Sequence, residues 1–189
     1  MESLLSAGLI LAGMAAVVLA FRWLIHRPRI SYNDPPGVRT VVVFSGDDPE
    51  FFRDDKPEGM FVGQRLFHAL CDGLGDRQIQ IERRGHEEFA HRADCRVDGV
   101  PLALILEWVD GLWVASVEWV PRTRAEARHM AWTHEVFPPP DSAALRHMLS
   151  SLDRWLKGHP GLSEIRWHRK EKWLGKDRSQ PHDEPFPAG

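Results

Sequence analysis

The side chains best suited to chemistry cluster in the middle of the chain. His86-Glu87-Glu88-Phe89-Ala90-His91 offers two imidazoles and two carboxylates in a short string. A helix that binds zinc through such a string needs its histidines at i and i+4, with the glutamate beside them as general base. Here the spacing is i+5, which turns the second ring by about 140° at ~3.6 residues per helical turn. Gly85 and the apolar alternation that takes in Phe89 and His91 also favour a strand over a helix. No metal site and no cofactor are expected. His91, on the apolar side of that strand, reads as a buried histidine satisfied by a hydrogen bond.

His129 and His134 repeat the i+5 spacing around Ala131-Trp132-Thr133. Cys71 and His68 stand three apart, side by side on one helical turn, but Cys71 borders an apolar stripe and a buried thiol is inert. Cys95 reads as a small hydrophobe. Two cysteines cannot build the disulfide framework of a small secreted domain. The sequence also lacks a G-x-S-x-G elbow, a phosphate-cradling glycine loop and a C-x-x-C pair. No catalytic residues are assigned. An enzyme would have to assemble its site from distant groups, and His91, His129, His134, Asp47 and Asp48 are the ones such a fold would bring together.

Binding chemistry has a clearer carrier. The connection from Pro121 to Pro140 holds Arg122, Arg124, Arg128 and Trp132, and is longer than two packed elements require. Guanidinium and indole groups dominate binding energy at interfaces, and three arginines suit anionic headgroups or an acidic protein surface. These four are the expected binding residues. Nucleic acid is not an expected partner, because 24 Lys and Arg against 27 Asp and Glu leave a net charge of -3.

The elements that must position these groups begin with an anchor. Leu4 to Phe21 carries no charge, and apolar character resumes at Trp23 to Ile25. A helix over residues 4–25 would reach ~33 Å, enough for a hydrocarbon core of ~30 Å. Arg22, His26, Arg27 and Arg29 follow the run, while only Met1, Glu2 and Ser3 precede it. The positive side is C-terminal, so a single-pass protein in the cell membrane with a cytoplasmic C-terminal domain is expected. A cleaved signal peptide would carry its charge before the run. Gly8, Ala12, Ala16 and Ala20 share one face and suit a homodimer through close helix approach.

The expected divisions are an anchor with flanks over 1–27, a proline-rich linker over 28–37, one domain over 38–175 and a disordered tail over 176–189. The domain is read as α+β, in two layers. Thr40 to Phe44 is an unbroken apolar strand, covered on both faces or central in its sheet. A helix follows over about Gly63 to Leu74, with Leu66, Phe67, Leu70 and Leu74 on one stripe. Gln78 to Arg83 alternates as a half-buried strand.

Asp98-Gly99 and Asp110-Gly111 each mark a two-residue hairpin turn, since both central positions need positive φ. Together they fix a three-strand meander with rows Phe89/Trp108/Trp113, His91/Leu106/Ala115, Ala93/Leu104/Val117 and Cys95/Leu102/Trp119 on a core face. The reverse face carries Arg92, Asp94, Glu107, Ser116 and Glu118, with Ile105, Ala103 and Val114 among them, and is expected to be mostly solvated but not strongly polar. A second amphipathic helix, capped by Asp141 or Ser142, carries Leu145, Met148, Leu149, Leu152, Trp155 and Leu156 inward. Glu164 to His168 closes the domain as a strand with Ile165 and Trp167 inward. The predicted element order is β-α-β-β-β-β-α-β, both helices covering one face of a largely antiparallel sheet.

Overall fold

The computed structural model describes residues 34–52, 62–87, 89–120, 124, 127–128, 139–171 and 181–187, all within one compact unit, Ser31–Gly189. The apolar run at 4–25, with Gly8, Ala12, Ala16 and Ala20, lies outside the described residues. Among those that are described, no helix is long and apolar enough to cross a membrane.

The architecture is α+β: a six-stranded antiparallel sheet and two helices. Strand β1 is Val41–Ser45, followed by a short 3-10 turn over Pro49–Phe52 and helix α1, Gln64–Gly75. Strands β2 (Gln80–Glu87), β3 (Ala90–Val97), β4 (Val100–Val109) and β5 (Leu112–Trp119) come next, then helix α2 (Ala143–Gly158) and strand β6 (Ser163–His168). In space the order is β2-β3-β4-β5-β1-β6. The predicted element sequence is present in full.

The Asp-Gly turns set the register as expected. Asp98, Gly99, Asp110 and Gly111 all have positive φ. Leu104 pairs with Ala93 on one side and Val117 on the other, and Trp108 pairs with Trp113. One row end fails. β3 begins only at Ala90, so Phe89 sits in the turn before it and is 78% exposed instead of extending the core face.

Both helices press their apolar stripes into one core with Val42, Phe44, Leu102, Leu104, Leu106, Trp113 and Trp167. Ser142, not Asp141, caps α2: its hydroxyl accepts from the Leu145 N–H at 3.1 Å. Helix α1 starts at Gly63, whose φ of +96° and contact with the Trp113 ring leave no room for a side chain. Burial of these stripes is the main stabilising term, at roughly 1.5–3 kcal/mol for each fully buried large apolar side chain.

The reverse face corrects the sequence reading. At its centre Ala103 is fully buried, and Val41, Val43 and Val114 form a second apolar cluster edged by Val109. Strand β1 causes this by seating itself beside β5, so that Val43 pairs with Val114 and Val41 with Ser116. Glu118 on the same face is buried as well.

Two expected boundaries also shift. Pro36-Gly37 forms a tight turn in which the Val38 N–H donates to the Pro35 carbonyl at 3.0 Å, with Gly37 at φ +72°, as a type II turn requires. Residues 34–37 are thus built into the domain and are not free spacer. Residues 181–187, expected to be disordered, are docked: His182 and Trp167 exchange backbone hydrogen bonds of 2.7 and 3.0 Å, and Phe186 packs against the core. Two prolines flanking one aromatic supply apolar surface that the polar composition of the tail concealed.

Candidate functional site

The densest polar arrangement lies where the chain comes into the domain. The Pro36-Gly37 turn folds Thr40 back over Asp34, which is 2% exposed. Oδ2 of Asp34 accepts the backbone N–H groups of Thr40 and Lys170, each at 2.9 Å, while Oδ1 accepts the Thr40 hydroxyl at 2.6 Å. In return the Asp34 N–H donates to Glu171 at 2.9 Å, and Arg169 donates to the Asp34 carbonyl at 2.8 Å. One residue is thereby tied to the segment that follows β6.

Burial pushes the Asp34 carboxyl above its ordinary range, against the Thr40 and Lys170 hydrogen bonds that favour its ionised form. Two residues beyond the end of β6, Lys170 reaches the reverse face of the sheet. There its ammonium, 4% exposed, pairs with both oxygens of Glu118, at 5%. Ser116 donates to the same carboxylate at 2.6 Å. Glu107, alongside, is raised by burial and by the charge of Glu118, with Lys170 opposing. An ion pair this deep must be matched and hydrogen-bonded to be tolerated, and this one is.

At the other end of the sheet His91 is buried, its Nε2 facing the Val62 carbonyl at 2.9 Å and its ring stacked on Phe67 at 5.1 Å. A carbonyl only accepts, so Nε2 carries the proton. His86 lies across the strand pair with its ring 4.9 Å from that of His91. Burial drives the Cys71 and Cys95 thiols up to about 12, which removes any nucleophilic role at neutral pH. Asp48 accepts the Glu50 N–H at 2.9 Å in the turn before the 3-10 segment. His129 and His134 lie outside the described residues. Among those described, no group of three or more His, Cys, Asp or Glu is placed to hold a metal ion.

Of the four expected binding residues, Arg122 and Trp132 lie outside the described residues. Arg124 and Arg128 are helical and exposed. Sequence reasoning missed Asp34 and Lys170 and took Glu118 for a residue of a mostly solvated face. The Asp-Pro-Pro-Gly turn was the available signal for the first, whereas Glu118 and Lys170 meet only because β1 and β6 join the sheet beyond β5. The chain matches no protein-family model, no curated protein and no solved structure.

Proposed function

We propose that this chain is a single-pass membrane protein whose α+β domain works on the cytoplasmic side as a non-enzymatic interaction or regulatory module. The anchor is the apolar run 4–25, oriented by the arginines that follow it. The observation that carries the reading is where the domain spends its polar chemistry. Asp34, Lys170 and Glu118 are buried and engaged in holding chain segments together at the root of the linker, and His91 is engaged by Val62 and Phe67. Such a domain is gripped at the point from which it is tethered, and meets partners with exposed groups. Arg124 and Arg128 are exposed, and with Arg122 and Trp132 they form the proposed recognition surface. Close approach of two anchors along Gly8, Ala12, Ala16 and Ala20 is the proposed route to a homodimer.

Two experiments test this reading. A cysteine placed at Ser179, with Cys71 and Cys95 replaced, is expected to resist an impermeant thiol reagent in intact cells; ready labelling would overturn the orientation. Changing Arg124, Arg128 and Trp132 together to Ala is expected to leave the melting temperature nearly unchanged and to abolish recovery of the protein that co-purifies with the wild type. Unchanged recovery would move the recognition surface elsewhere.

A further inference from the structure

The docked C-terminal segment lies against β6, α2 and residues 37–39, and each of these offers a group that reads a peptide. The edge of β6 contributes the two-bond exchange between Trp167 and His182. Arg39 donates twice to the segment's backbone, from its N–H to the Pro185 carbonyl at 3.0 Å and from its guanidinium to the Glu184 carbonyl at 3.1 Å. The Arg166 guanidinium pairs with the Asp183 carboxylate. Arg146, on α2, stands 5.0 Å over the Phe186 ring. Pro185 is buried, and Pro187 covers Gly37.

We propose that this surface is a peptide-recognition site for a short acidic segment ending in a proline-flanked aromatic, and that the chain's own residues 181–187 occupy it until a partner protein's segment of the same chemistry displaces them. The inference rests on the interaction-module reading and adds a second surface to it, with a defined ligand.

Three observations favour an exchangeable ligand over a permanent strand. The contacts are of the kinds that read a peptide, with backbone hydrogen bonds at Trp167 and Arg39 for affinity and ring and charge contacts at Arg146 and Arg166 for selectivity. The occupant leaves one demand unmet: Nε of Arg39 is buried and has no acceptor among the described residues, so a ligand that supplies one binds better. Half of the segment is open to solvent, for residues 181–184 are all exposed. A tethered occupant competes intramolecularly, which sets the threshold a partner must beat.

The test uses the full-length chain in detergent and a fluorescein-labelled synthetic peptide with the sequence of residues 180–189, followed by anisotropy. Phe186→Ala with Asp183→Lys in the chain weakens the tethered occupant, and Asp183→Lys alone, at an exposed side chain, is the milder second variant. The peptide is expected to bind the double variant at least tenfold more tightly than the wild type, with the single variant between them. Adding Arg146→Ala and Arg166→Ala, both on exposed side chains, is expected to abolish that binding, as is a Phe-to-Ala peptide. No binding to either variant while the melt is retained would make the segment a structural strap and overturn the proposal. So would equal binding to wild type and variants, or loss of the fold in both. None of these outcomes touches the co-purification test of Arg124, Arg128 and Trp132, so failure here is distinguishable from failure of the module reading.

Discussion

Strands β3, β4 and β5 are joined by two-residue turns and pair with their neighbours in sequence, whereas β1 and β6 reach adjacent places in the sheet from opposite ends of the domain. The first half closes short loops at little entropic cost and carries its own register in the Asp-Gly positions. The second half must bring together residues about 120 apart. On this half lie the Asp34 clasp and the docked terminal segment, and the buried ion pair ties its Lys170 to Glu118 of β5. Local pairing is set by the turns and apolar alternation, and distant pairing is pinned here by polar contacts between residues far apart in sequence as well as by apolar packing.

The largest expected effect tests that pinning directly. Lys170→Met leaves the Glu118 carboxylate buried opposite a thioether, and is expected to destabilise the domain by about 3–5 kcal/mol in denaturant unfolding. Adding Glu118→Leu is expected to recover most of the loss, since an apolar pair of similar volume removes the uncompensated charge. A loss under about 1 kcal/mol for the single change would mean that the pair contributes nothing to holding β6, against the range for a broken buried pair.

The meander makes the opposite claim, that its two turns and apolar packing specify it without buried polar contacts. Leu104→Ala, at a fully buried position between Ala93 and Val117, is expected to cost about 3 kcal/mol. Ile105→Ala, one residue along on the half-buried reverse face, is expected to cost clearly less. The reverse order of the two in thermal melts would put the register out by one residue.

That contrast also explains what could be read from sequence. The turns at Asp98-Gly99 and Asp110-Gly111 fixed which residue faces which, because an inversion would have exposed Leu102, Leu104 and Leu106 together. Phe89 was misplaced because alternation continues past the last residue that the β2–β3 turn allows to pair. The unbroken apolar run of β1 announces Val41 and Val43 as covered on both faces, but nothing local marks β1 as a neighbour of β5, so the burial of Glu118 on the reverse face could not be foreseen. Nothing around Lys170 marks it for burial, and Asp34 falls in the proline-rich linker. Their partners lie 52 and 136 residues away, and no periodicity spans such a distance. Of the expected binding residues only Arg124 and Arg128 fall on described, exposed positions.

A smaller effect is expected where a second helix supports both halves. Ser142→Ala removes the acceptor for the Leu145 N–H and is expected to cost about 1 kcal/mol, a cap contribution independent of the sheet. Asp141→Ala is expected to cost less, because its contact with Arg146 at 2.9 and 2.8 Å is on the surface. Equal losses would mean that Asp141 shares the capping role.

The smallest effect is a tilt with pH rather than a change of level, and it asks whether the Asp34 clasp needs its charge. Asp34→Asn keeps the geometry: an amide oxygen at the Oδ2 position accepts from Thr40 and Lys170 as before, and an amide N–H₂ at the Oδ1 position donates to the Thr40 hydroxyl, which rotates to accept. The variant therefore isolates ionisation. Burial raises the Asp34 carboxyl in the folded state above its ordinary value of 3.8. A folded-state value above the unfolded one means that the folded protein binds the proton more tightly, so this contribution to stability is full below about pH 4 and is lost as pH rises through the folded value. Relative to Asp34→Asn, the wild type is expected to lose stability as pH rises from 4 to 7 in paired urea titrations. A gap that moves the other way would show that the hydrogen bonds to the carboxylate outweigh its burial, and that the clasp is held by the charge.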